Sequence, residues 1–94
     1  MKTNKEYTDQ FASLMENELN ANSHKGDWKT WWNVEEQMQE ALYHHEKLES
    51  ALCKNDIYAI REYSADCANF YLMIANTTGA LFNDNDHPGQ LKLW

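Results

Sequence analysis

The sequence predicts an all-α fold, an antiparallel helical bundle of about three main helices, and three observations lead there. Apolar residues recur at three- and four-residue spacing through three long stretches. Each stretch opens on residues that cap helices: Thr3 with Glu6, Asn33 with Glu36, and Asp56. Only 3 Gly and 1 Pro occur in 94 residues, too few turn formers for a fold of many short strands.

The first helix is expected over roughly residues 4–22. Thr3 and Glu6 form its capping box, and Tyr7, Phe11, Leu14, Met15 and Leu19 form its stripe. Glu16 and Glu18 lie beside that stripe and read as a solvated face, while Gly26 suits the positive φ that ends a helix. The second helix begins after Asn33 and runs to about Lys54, with Val34, Met38, Ala41, Leu42, His45, Leu48 and Leu52 at helical spacing. Asn55 and Asp56 form so short a connection that the third helix must return antiparallel. That helix starts behind the Asp56 cap and stops after Thr78 and Gly79. Asn83 to Gly89 reads as an exposed acidic turn, and the tail to Trp94 is expected to pack on the bundle or on a neighbouring subunit.

One domain spans residues 1–94. A chain this short buries a modest share of its surface, so a homodimer or tetramer is expected to complete the core. Hydrophobic residues make up 43% and aromatics 13%, a globular composition. The net charge of -7 repels phosphate backbones and anionic lipid headgroups, which argues against nucleic acid or membrane as partner. No apolar run approaches the ~20 residues of a membrane span. The start MKTNKEYTD lacks the apolar centre of an export signal. Cys53 and Cys67 fall at helical levels on the order of 13 Å apart, too far for a disulfide. Reduced thiols and a cytoplasmic location follow.

Two stretches carry chemistry. Ile57 to Asn76 places Glu62, Asp66 and Asn69 along one line of a helix that is otherwise apolar from Ala65 onward. An ionised carboxylate in such surroundings costs several kcal/mol, roughly, unless paired, hydrogen-bonded or bound to a cation. Asp66 therefore needs a partner, a neighbouring Lys or His in one reading and a metal ion in the other. The antiparallel return lets His44, Lys47, Glu62, Asp66 and Asn69 converge between the helices, with His45 at the level of Asp66 and Glu49 at that of Glu62. Asn22 to Asn33, NSHKGDWKTWWN, sets His24, Lys25 and Lys29 among Trp28, Trp31 and Trp32. Amines there can hold phosphates while an indole stacks on a base. Alternatively the tryptophans plug the end of the bundle and the lysines are solvated.

FASLMENELNANSHKGDW at 11–28, EALYHHEKLESAL at 40–52 and IREYSADCANFYLMIAN at 60–76, read in that order, resemble the MazG-like all-α nucleoside triphosphate pyrophosphohydrolases, in a short branch from phages and mobile elements. The resemblance spans Phe11 to Gly79. It implies a helical oligomer that cleaves a nucleoside or deoxynucleoside triphosphate between its α and β phosphates, with magnesium held by acidic residues on two adjacent helices. The family pattern is Glu-x-x-Glu on one helix and Glu-x-x-Asp on the next. Aligned without a gap, those positions fall on His44, Lys47, Tyr63 and Asp66, so Asp66 alone matches. Glu62 lies one residue early, Asn69 one turn late, and Glu40 one turn before His44. A shifted register uses Glu46, Glu49 and Glu62 instead.

On this resemblance His44, Glu62 and Asp66 are the expected catalytic residues, and Glu40, Glu62, Asp66 and Asn69 the expected metal ligands. His24, Lys25, Trp28, Lys29 and Lys47 are the expected nucleotide contacts. Magnesium is the expected cofactor and manganese the substitute, with His44 also suited to zinc. Lys47 in a carboxylate's place supports a different reading: a fold relative without turnover that binds nucleotide or a protein, with Lys47 and Asp66 as a structural pair.

Overall fold

The computed structural model describes residues 1–82. Three α-helices account for most of them: α1 (Asn4–Ala21), α2 (Val34–Cys53) and α3 (Ile57–Thr77), with two short 3-10 turns at Ser23–Lys25 and Trp28–Thr30 between α1 and α2. No strand occurs among the described residues, so the all-α expectation holds. The acidic turn at 83–89 and the apolar tail at 90–94 lie outside the described residues. Among the described residues no helix is long and apolar enough to cross a membrane.

Local chemistry sets the helix ends. The Thr3 hydroxyl accepts from the Glu6 N–H while the Glu6 carboxylate accepts from the Thr3 N–H, a complete capping box. Asn33 Oδ1 accepts from the Glu36 N–H at 3.0 Å and Asp56 Oδ1 from the Ala59 N–H at 3.2 Å. At the end of α2 the Asn55 N–H reaches the Leu52 carbonyl and the Asp56 N–H the Ala51 carbonyl, with Asn55 at φ 55°. Asparagine tolerates that left-handed conformation better than most residues, and Asp56 caps α3 directly behind it. Gly79, at φ 79°, ends α3 in the same way: its N–H bonds Asn76 and the Ala80 N–H bonds Ala75. Gly26 differs from expectation. Helix α1 already stops at Ala21, where Asn22 Nδ2 folds back onto the Glu18 carbonyl, and Gly26 at φ 118° ends the following 3-10 turn instead.

Helices α2 and α3 pair antiparallel along their lengths, and α1 packs mainly on α3. Ala41 and Ala51, small and buried, face α3 from α2, and Ala65 is buried on α3. The apolar stripe expected on α2 is only partly used, because Leu42 and Leu52 are 60% and 56% exposed. His45 is likewise exposed and lies beside Glu49, 3.5 Å away, while Gln37, Ala41, His44, Leu48 and Ala51 are buried or half-buried. Both cysteines are free, Cys53 exposed and Cys67 buried.

A buried polar latch joins the connecting loop to the hairpin. Gln37, fully buried, donates from Nε2 to the Trp31 carbonyl and to Thr77 Oγ1, each at 2.8 Å, and Thr77 Oγ1 donates to the same carbonyl at 3.2 Å. Trp31 then meets Phe70 of α3 edge to face with centroids 6.5 Å apart. Its indole N–H donates to Glu36 at 3.3 Å. This loop roofs one end of the space between α1, α2 and α3.

Candidate functional site

Under that roof lies an open groove of about 910 Å³. Glu62, Asp66, Asn69 and Met73 descend one face of α3 to form its floor. Glu40, His44 and Lys47 enter from α2, Glu18 and Leu19 from α1, and Lys25, Trp28 and Trp31 from the loop. The groove thus gathers Glu40, His44, Lys47, Glu62, Asp66, Asn69, Lys25 and Trp28, all named from the sequence. His24 is exposed and outside the lining. Lys29 is also outside; its ammonium lies 3.2 Å from Asp27 and 5.5 Å from the Trp28 ring. Asp27 is held below the usual carboxylate range, first by the Lys29 backbone N–H and then by that ammonium.

Glu18 is the residue that the sequence reading placed elsewhere. It is half-buried and shares a hydrogen bond with Asp66, so its carboxyl is raised above the usual range by burial and by the charges of Asp66 and Glu62. The signal for it was its position: Glu18 follows Leu14 and Met15 at four- and three-residue spacing and so falls on the α1 stripe itself. Asp66 is raised as well. Burial is the largest cause and Glu62 adds to it, opposed by His44, by the hydrogen bond with Glu18 and by Lys47. The pair accordingly holds a proton more readily than two solvated carboxyls.

Asn69 is 4% exposed and clamps α1 to α3, its Nδ2 donating to the Met15 carbonyl at 2.9 Å. Its Oδ1 is buried without a hydrogen-bond partner among the described residues. His44 Nδ1 lies 2.9 Å from the Glu40 backbone carbonyl and 3.7 Å from its carboxylate. A carbonyl only accepts, so Nδ1 carries a hydrogen and Nε2 is the nitrogen left to exchange a proton. The ring packs on Phe70, with centroids 4.8 Å apart. Lys47 makes no ion pair among the described residues; its ammonium sits over the rings of Tyr43 and Tyr63 instead.

The donor chemistry suits a hard divalent cation. The carboxylates of Glu18, Glu62 and Asp66 and the unpartnered Asn69 Oδ1 offer oxygen alone, and a cation would offset the burial and the added repulsion that raise Glu18 and Asp66. No three His, Cys, Asp or Glu side chains among the described residues are grouped closely enough to form a ready cage.

The described residues form three α-helices around an acidic, aromatic-walled cleft that also carries two lysines. Compared with protein-family models, with curated proteins and with solved structures, the chain matches none.

Proposed function

We propose that the chain is a MazG-like nucleotide pyrophosphohydrolase that converts nucleoside or deoxynucleoside triphosphates into monophosphate and pyrophosphate with a divalent cation, magnesium first and manganese as substitute. The observation that supports it best is the convergence, in one groove, of carboxylates, a half-buried histidine, two lysines and an indole wall. About 910 Å³ is within the usual range of small-molecule sites.

In this reading Glu18, Glu62, Asp66 and Asn69 Oδ1 hold the cation. When bound, the cation polarises the phosphoryl oxygens and offsets the charge on the departing pyrophosphate. His44 Nε2 takes the proton of the attacking water, with Glu40 fixing the ring through Nδ1. The water oxygen bonds to phosphorus at the α–β bridge, the bridging P–O bond breaks, and its electron pair leaves with pyrophosphate. Lys25 and Lys47 receive the phosphates, and Trp28 offers a face to the base.

Self-association belongs to the same proposal. Only Ala41, Ala51, Ala65, Cys67 and Met73 are buried hydrophobics among the described residues. Leu52, Ile57 and Tyr58, around the α2–α3 turn, are each more than half exposed, apolar area that a second copy would cover.

The test is incubation of pure protein with magnesium or manganese and a panel of nucleoside and deoxynucleoside triphosphates, resolving the products by chromatography. Stoichiometric monophosphate and pyrophosphate, lost in Asp66→Asn, is the expected result; no turnover with either cation refutes the hydrolase. A second reading, a nucleotide-binding module without turnover, is favoured by Lys47 lining the groove where the resemblance implies a carboxylate. Tight nucleotide binding by calorimetry without any product would support it.

A further inference from the structure

We propose that Tyr43 and Tyr63 are positioning residues that hold the Lys47 ammonium as a phosphate-binding cation on the groove wall. The inference rests on the nucleotide reading for the identity of the ligand, and it adds two residues to which that reading gives no role.

Lys47 faces a groove that carries Glu18, Glu62 and Asp66, yet it pairs with none of them among the described residues. Two exposed lysines pair with a carboxylate near them in the chain, Lys5 with Asp9 at 2.6 Å and Lys29 with Asp27 at 3.2 Å, whereas Lys47 does not. The Lys47 ammonium lies instead 4.6 Å from the centroid of Tyr43, one turn earlier on α2, and 5.7 Å from that of Tyr63, across the seam on α3. Both distances are within the ≈ 6 Å over which a ring face attracts a cation. A ring face attracts the charge but, unlike a carboxylate, does not take up the three N–H donors. The two rings thus anchor the ammonium from two helices and leave its donors for a ligand.

The ligand those donors suit is an anion with several acceptor oxygens, and a phosphate chain fits that description. Lys47 is half-buried, which lowers its hydration and strengthens the attraction. Tyr63 lines the groove, whereas Tyr43 is half-exposed beside Lys47 and outside the lining, so neither ring is a core plug. Their position flanking Lys47 is the feature that a purely structural role leaves unexplained.

The experiment measures binding of inorganic tripolyphosphate by calorimetry, in chelator and at low salt, to the full chain and to five variants. Lys47→Met is expected to weaken binding at least about tenfold. Tyr43→Leu and Tyr63→Leu should each weaken it about threefold to fivefold, while Tyr43→Phe and Tyr63→Phe, which keep the ring, stay within about twofold of the parent. Circular dichroism confirms folding. Should Tyr63→Leu fail to fold, Tyr43→Leu and Tyr43→Phe, at an exposed position, decide the matter.

Unchanged affinity in Lys47→Met, or no tripolyphosphate binding by the parent chain, overturns the inference, as does a Leu variant that binds like its Phe counterpart. These results separate from the hydrolase assay. Ring-dependent binding without turnover keeps the inference and removes the activity; turnover that ignores Lys47 and both tyrosines does the reverse.

Discussion

Replacing Thr77 by valine tests the latch that carries Trp31 and the loop into the groove. Thr77 is 1% exposed, and valine nearly matches its volume, so the change removes hydrogen bonds without opening a cavity. Two bonds disappear: the one Thr77 Oγ1 accepts from Gln37 Nε2 at 2.8 Å and the one it donates to the Trp31 carbonyl at 3.2 Å. The carbonyl keeps its 2.8 Å bond from Gln37, so no acceptor is orphaned there. One Gln37 N–H, in a side chain with no exposure, loses its acceptor. Two net bonds at about 1 kcal/mol each, with the added penalty of a buried unpaired donor, give an expected loss of about 2–3 kcal/mol. Thr and Val have similar helix propensities, so the backbone contributes little. Urea unfolding followed by circular dichroism and tryptophan fluorescence should show a lower midpoint at an unchanged slope. Amide exchange over residues 28–31 should quicken first. A variant within about 0.5 kcal/mol of the parent would show that this network does not hold the loop, and the reasoning would fail.

Other outcomes follow from the same geometry. Glu18 and Asp66 hold protons more tightly folded than unfolded, so their contribution to stability is greatest below about pH 4 and is lost as pH rises through their raised folded values. Glu18→Gln should therefore gain stability relative to the parent between about pH 4 and pH 7 in thermal melts, and a constant difference across that range would contradict the pairing. Asp66→Asn should abolish turnover while leaving stability at neutral pH equal or higher, because a raised carboxyl is destabilising when ionised; chromatography and a melt on one sample check both. Ala65 on α3 has no exposure, so Ala65→Leu should destabilise by about 1–3 kcal/mol in urea through overpacking. Sedimentation should find an oligomer that Leu52→Glu weakens; a monomeric parent chain removes the self-association proposal.

The caps made the helices legible. Thr3, Asn33 and Asp56 use side-chain bonds to N–H groups at most three residues away, so local sequence fixes where each helix starts. Spacing also placed Glu62, Asp66 and Asn69 on one line, and the short turn at Asn55 brought His44 and Lys47 to their level. The choice between adjacent residues was not legible. His45 rather than His44 fits the apolar stripe, yet α2 buries the small residues Ala41 and Ala51, a face that turns His44 inward and Leu42 and Leu52 outward.

What the sequence alone determined is therefore the helix count, the helix ends and the antiparallel return, because all three depend on hydrogen bonds and turns between near neighbours. Tertiary structure decided which faces meet and what they enclose. The meeting of Glu18 with Asp66, the clamp from Asn69 to Met15 and the latch from Gln37 to Thr77 join residues far apart in the chain. Their partners are set by rotation and approach of whole helices, and those depend on the summed packing of many side chains that no local spacing encodes.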